Sequence, residues 1–324
     1  MKKLLLSVVA MLFAATSYAQ NGLVATLSHG TDLKMFYGVN ALKEAVAQAE
    51  SSDVINLSDG SFNATNITKG ITLRGAGIDS NAPTYIVGDF TIEIPEDDAN
   101  RFMMEGIRCT HTMATKGTFS YPYFVRCQFN RVTNAKENDA VTNIVFFSCK
   151  ITGQTNFGAN DTYSFVNCYL GETCQYQNAT ATFSNCVIYC SNVAYMGQSQ
   201  AFNCIFVSPN RANWVLPNTA QATNCVCANY YQSIFRDVAV KPNCDVVNRE
   251  DVFKTFTDTY SDEETFELTD AFIANYKGTD GEQIGLYGGL QYNSTPSYPL
   301  ITTMNVDKQT NTEGKLGVTI EISK

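Results

Sequence analysis

Arginine precedes cysteine twice, at Arg108-Cys109 and Arg126-Cys127, and Arg131 and Lys150 follow in the same stretch of chain. Guanidinium groups stacked at the spacing of neighbouring strands can grip carboxylates or sulfates bidentately. Arg108, Arg126, Arg131 and Lys150 are therefore a candidate binding group for an acidic polysaccharide or cell-surface glycan. Tyr169 and Tyr189 add aromatic faces suited to sugar stacking. The same region carries a second reading, in which Arg126, Lys150 and Asp161 are scattered site residues of a polysaccharide lyase or hydrolase. In a third, the protein is structural or adhesive and meets a protein partner.

Other reactive residue types give weaker signals. His111 falls two residues after Cys109, at a position expected to face inward, where a satisfied core or corner histidine is expected. Trp214 in "NWVLP" fits a buried strand residue or a platform for a sugar ring. The run Asp258, Asp262, Glu263, Glu264 and Glu267 has the oxygen chemistry that calcium prefers. It lacks the glycine-turned loop of an EF-hand, so a solvated acidic helix start and no cofactor are expected, with calcium as the alternative.

The elements that position these residues come from a repeat. Cys109, Cys127, Cys149, Cys168, Cys186, Cys204 and Cys225 are separated by 18, 22, 19, 18, 18 and 21 residues. The text around them also repeats, as "YFVRCQF", "VFFSCKI", "SFVNCYL" and "TFSNCVI", so the period belongs to a structural unit. A period of about 20 residues fits one coil of a β-solenoid and predicts roughly ten to eleven coils. Phe124, Phe146, Phe165 and Phe183 lie three before the cysteine; Phe129, Ile151, Leu170, Ile188 and Phe206 lie two after it. These offsets have opposite parity, so one straight strand cannot turn both inward and a bend must fall between them. The bend is assigned to the residue before the cysteine, where Asn167, Asn185, Asn203 and Asn224 recur, because asparagine tolerates the left-handed conformation.

Stacked cysteines of neighbouring coils point in parallel and resist the torsion of a disulfide, so the seven are expected to be buried thiols. Cys174, Cys190, Cys227 and Cys244 fall off the period and are the better disulfide candidates, with connectivity left open. Outward positions +1 and +3 carry Tyr169, Val187, Tyr189, Ile205 and Val207, an apolar strip that something must cover. The covering element is the chain's own tail, such as the hairpin from Ile301 to Ile322, or a sugar, or a protein partner.

At the N-terminal end, Asn40 is expected to cap a helix to Glu50 with Leu42, Ala45, Val46 and Ala49 on one stripe, covering the edge of the first coil. At the other end, Met304 and Val306, then Leu316, Val318, Ile320 and Ile322, alternate as a β-hairpin that caps the solenoid, lies along it, or leads to a partner. The helix running into "DVINLSDGSF" and "ITLRGAG", the "F-x-N-C-x-I" coils and the closing "DGEQIGLYGG" resemble the pectin-lyase-like class, particularly exported members from Gram-negative bacteria. The resemblance covers roughly residues 38 to 290 and implies an all-β, right-handed parallel β-helix. Enzymes of that class imply calcium-binding aspartates with a basic proton acceptor, or a group of two to three aspartates; neither pattern occurs here, and the paired-Asp and Gln signatures of pectin methylesterases are missing too. The expectation is therefore a noncatalytic glycan- or surface-binding protein.

Residues 1–19, with Lys2, Lys3, an apolar run and small residues at Ser17 and Ala19, read as a secretory signal cleaved before Gln20. The expected organisation is signal 1–19, β-helix domain 20–295 and β tail 296–324, exported to the periplasm or beyond. No later apolar run is long enough to span a bilayer. A net charge of −9 argues against nucleic acid as a partner.

Overall fold

The structure, a computed structural model, describes residues 22–323 except positions 80–81, 97, 99–100, 135–138, 159, 172–173, 176–178, 190–195, 208–215, 218, 229–233, 236, 256–260, 262–263, 299 and 307–317. The expected signal, Cys190, Trp214, Asp258, Asp262 and Glu263 lie outside the described residues, and of Cys174 only the backbone is described.

The chain winds as a parallel β-solenoid of about 8 turns, fewer than the spacing predicts. The strands that precede each cysteine stack into an 11-stranded sheet, and those that follow it stack into a 13-stranded sheet. Ile144–Phe147 pairs in parallel with Thr162–Val166, which pairs with Thr180–Ser184. Beyond the corner, Lys150–Ile151 pairs with Tyr169–Leu170, which pairs with Val187–Ile188.

The corner between the sheets lies where parity places it. Arg126, Ser148, Asn167, Asn185, Asn203, Asn224 and Asn243 have φ of 52°, 52°, 50°, 52°, 55°, 50° and 55°. This left-handed turn reverses side-chain parity, so the phenylalanine three before the cysteine and the apolar residue two after it both enter the core. The repeating side chains then stack on themselves. Phe124, Phe146, Phe165 and Phe183 form a column with ring centroids 4.8, 5.0 and 5.1 Å apart and planes within 12°.

The strand register corrects the cysteine column. Phe129 pairs with Cys109, and Gln128 with Arg108, while Met104 pairs with Phe124 and Glu105 with Val125. Counting on from that last pair, Gly106, with φ 68°, occupies the corner position of Arg126. Cys109 therefore sits two residues past the thiol column, and the interval to Cys127 matches the period by coincidence. At the other end Val226 pairs with Asp245, which stacks Cys244 on Cys225. Cys244 thus belongs to the column, and Cys227 lies in the inward row beside Phe206 and Val246.

Neither Cys227 nor Cys244 forms a disulfide; both are free thiols, as are the described column members. Each column thiol donates to backbone carbonyls. Cys168 Sγ, for example, reaches Phe146 O and Val166 O, both at 3.3 Å. Burial first of all raises the pKa of Cys149, Cys168, Cys186, Cys204 and Cys225 well above the ordinary thiol value. These are inert packing groups and not nucleophiles.

At the N-terminal end, strand β1 (Val24–His29) forms an antiparallel hairpin with strand β2 (Asp32–Tyr37) and pairs on its other side with Val54–Leu57. Helix α1 (Ala41–Gln48) buries Ala41, Leu42, Ala45 and Val46. Asn40 makes no side-chain cap bond to α1; its Oδ1 instead accepts from Asn63 Nδ2 at 2.9 Å. At the C-terminal end, Leu300–Val306 and Val318–Ser323 pair antiparallel as a separate two-stranded sheet.

Phe165 lies in the middle of the aromatic column and is fully buried. Phe165→Ala is expected to lower unfolding stability by about 3–5 kcal/mol in a denaturant titration. A loss below about 1 kcal/mol would mean that the column is not packed.

Candidate functional site

The chain after the last coil turns back along the corner column. Thr279 N donates to Asn203 Oδ1 at 3.2 Å, and Gly285 N donates to Asn203 O at 2.8 Å. Asn167 Nδ2 donates to Leu286 O and Gly288 O at 2.9 and 2.7 Å. Asn293 N reaches Ser148 Oγ at 3.3 Å, Ser297 N reaches Glu105 Oε1 at 2.7 Å, and Tyr298 Oη donates to Gly75 O. Residues 278–298 are thus a strap that crosses the coils in reverse order. A Cβ on Gly288 would clash first with Gln283 O of the strap's own turn and would also lie 2.7 Å from Asn185 Oδ1, so close approach on both sides explains this glycine of the "DGEQIGLYGG" segment.

The strap decides the fate of Arg126. Its Nη1 donates to Glu105 Oε1 at 2.8 Å, and Glu105 is fully buried. Ser297 N and Oγ complete the carboxylate's partners at 2.7 and 3.1 Å. Arg126 is therefore a corner residue locked in an ion pair under the strap and is not presented to a ligand. Nor does it share a position with Arg108, because Cys109 is out of the column.

The apolar strip is covered by the chain itself. Tyr169, Val187, Ile205 and Val207 lie under Val252, Phe253, Phe266, Leu268, Phe272, Ile284 and Leu286 in a second apolar cluster, against which the half-buried Tyr189 packs. The cover comes from the segment before the strap, which includes two short helices, α2 (Arg249–Val252) and α3 (Asp270–Asn275), and from Ile284 and Leu286 of the strap itself. Tyr169 stacks on Phe266 with centroids 4.6 Å apart and is 1% exposed, so its ring cannot receive a sugar.

Asp161 is likewise structural. Its carboxylate accepts from Val141 N, Gly158 N, Asn134 Nδ2 and Tyr163 Oη at 2.7–2.8 Å. His111 is exposed rather than inward: it sits at the register shift between the Cys109–Phe129 and Thr112–Arg131 pairs, and its Nδ1 accepts from Gly88 N at 3.2 Å. Arg131 is exposed on the strand Gln128–Asn134. Of the acidic run, Glu264 is buried and accepts from Phe266 N at 3.1 Å. Among the described residues no group of three or more His, Cys, Asp or Glu side chains is placed to hold a metal.

Two of the candidates do meet. Arg108 and Lys150 stand in one outward row, with Gln128 between them. Both address Asp79, at 3.9 Å from Arg108 Nη2 and 3.4 Å from Lys150 Nζ. Arg108 Nε also donates to Ile78 O. Around them a half-open cleft of about 370 Å³ is lined by Glu264, Thr265, Leu286, Tyr287, Tyr292, Asn293 and Ser294. Lys150 Nζ lies 5.7 Å from the centre of the Tyr292 ring, and Arg108 lies over Tyr85 at 5.8 Å. Tyr287 Oη donates to Thr265 O at 2.8 Å, and burial is the main cause that raises its pKa. The cleft therefore brings together Arg108 and the buried Lys150, the partly exposed carboxylate of Asp79 and tyrosine walls, with its cations and Asp79 from the coils and its remaining walls from the strap and the segment before it. Sequence reasoning missed Asp79, Tyr287, Tyr292 and Asn293, the last three because only the strap brings them to the coils, and it read Glu264 as part of a solvated acidic run and not as a wall of this cleft.

Glu105→Gln would leave the mostly buried Arg126 charge without its counter-ion. It is expected to cost about 2–4 kcal/mol of unfolding stability, with more than half recovered in the Glu105→Gln/Arg126→Gln double variant. Additive losses would show that the pair is not coupled. Comparison of the chain with protein-family models, with curated protein sequences and with solved structures returned no match in any of the three.

Proposed function

We propose that the protein is an exported, right-handed β-helix of the pectin-lyase-like class, with α1 as the cap of its first coil, that binds an acidic glycan without cleaving it. The cleft between the outward strand row and the strap is the binding site. The observation that carries this reading is the convergence of Arg108 and Lys150 on the single carboxylate of Asp79. A uronate or sulfate group of a ligand entering the cleft would meet both cations at once, as Asp79 does. The flanking Tyr287 and Tyr292 supply the amphipathic surface that sugar rings favour. The fully hydrogen-bonded state of Asp161 and the burial of Cys149, Cys168 and Cys186 support a reading without a nucleophile or acid at those positions. A fold of this kind is a scaffold on which sites are grafted, so the cleft carries the argument and the architecture does not.

The test uses polygalacturonate, alginate and a sulfated glycan beside neutral polysaccharides, with retention and the release of reducing or unsaturated ends scored on the same samples. Retention of an anionic glycan without cleavage is expected. Arg108→Ala should weaken it by about tenfold or more, as loss of a charge-assisted hydrogen bond does. Unchanged retention in that variant, or retention of none of the anionic glycans, would contradict the site. Released ends would assign the cleft to a lyase or hydrolase instead.

A further inference from the structure

Away from the cleft, the large apolar side chains exposed among the described residues concentrate in one place. Leu33, Met35 and Tyr37 are 63%, 52% and 62% exposed, and Val39 follows at 49%. The first three alternate along β2 and share one face. Tyr37 Oη lies 3.7 Å from Met35 Sδ, so the row is continuous. The opposite face is occupied: Phe36 is buried, and Lys34 Nζ donates to Gln48 Oε1 of α1 at 3.4 Å.

β2 is also the terminal strand of the 11-stranded sheet, and among the described residues no strand pairs with its outer edge. The register fixes which backbone groups point there. Gly38 N donates to Leu23 O at 2.9 Å. Antiparallel alternation carries that bonded pair on to Ala25–Phe36 and Leu27–Lys34. The N–H and C=O groups of Leu33, Met35 and Tyr37 therefore point to the open edge. The same three residues present both an apolar row and a backbone edge, which together favour strand addition.

We propose that β2 pairs antiparallel with β2 of a second copy of this chain, about a two-fold axis through Met35. In that register Leu33 lies opposite the second copy's Tyr37, and Met35 lies opposite its own symmetry mate. All the outward-pointing backbone groups find partners, and the two apolar rows merge. Such self-complementarity is what a two-fold interface requires. Charge and backbone select the register. A slip of two residues one way sets Lys34 opposite Lys34, whereas the Met35-centred pairing sets it opposite Phe36. A slip the other way recruits Val39, whose carbonyl already accepts from Asn63 N at 2.8 Å. An interface of two short strands is small, so its dissociation constant is expected on the order of 1–100 μM.

Sedimentation velocity on the purified protein without the expected signal, from about 1 to 300 μM to bracket that constant, tests the pairing. A concentration-dependent dimer is expected. Met35→Glu, at an exposed position where folding is not at stake, should weaken it at least about tenfold while leaving the melting temperature in place. Met35→Cys should cross-link the two copies under mild oxidation by glutathione disulfide, because directly opposed bonded residues lie about 5.5 Å apart. Leu33→Cys should not, since its symmetry mate lies about 14 Å away along the strand. A monomer throughout the range, or a dimer indifferent to Met35→Glu, would overturn the proposal. So would a monomer that dimerises only after removal of residues 300–324, which would assign the edge to the chain's own hairpin.

Discussion

From Gly106 to Asn243, successive coils of this solenoid depend on one residue held in the left-handed region of backbone space. With φ near 50° at that position in successive coils, the chain bends between its two principal sheets and reverses the parity of its side chains. Without the bend, phenylalanine and the following aliphatic residue could not both face inward. The choice of residue follows from the energy of the left-handed conformation, which disfavours most side chains by about 1–2 kcal/mol and asparagine least after glycine. Where the position is Arg126 or Ser148, a specific partner accompanies the exception: Glu105 for the arginine and Asn293 for the serine.

The same corner column organises the molecule's exterior. A left-handed turn leaves side-chain amides and hydroxyls along one edge, and an edge of unmet polar groups must be covered or solvated. Here the chain covers it with its own strap, from Thr279 against Asn203 to Tyr298 against Gly75. The preceding segment, with Ile284 and Leu286 of the strap, covers the apolar strip beside it. The cleft exists because two surfaces meet there, coils on one side and the strap with the segment before it on the other. The corner arginine that looked most available for a ligand is the one the strap needs, while Arg108, two residues further round the coil, faces the opening.

The repeat made the architecture legible. Period, parity and the recurrence of asparagine were enough to place the strands, the bend and the buried thiols. The register was less legible at the two ends. Cys109 imitates a column member because Gly106 holds the corner and Ile107 takes the thiol's place. Cys244 escaped notice because Lys241 stands where a phenylalanine marks the earlier coils, although Asn243 already occupied the corner. The site was legible only in Arg108 and Lys150. Apart from Asp79, its other walls come from residues 264–294, far along the chain, and no periodicity links those to the coils they touch. The partner of Arg126 was hidden for a related reason: Glu105 lies one coil earlier and one residue before a corner that is glycine.

The central claim is that the strap is docked on the corner column as part of the fold. Hydrogen–deuterium exchange of the native protein addresses it directly, because Gly285, Gly288 and Ser297 donate their amides to Asn203 O, Gly285 O and Glu105 Oε1. The account predicts slow exchange over residues 283–298, comparable to the adjoining coil strands, and selective loss of that protection near Ser297 in Glu105→Ala. Exchange of this segment at the rate of an unstructured chain, with the coils still protected, would contradict it.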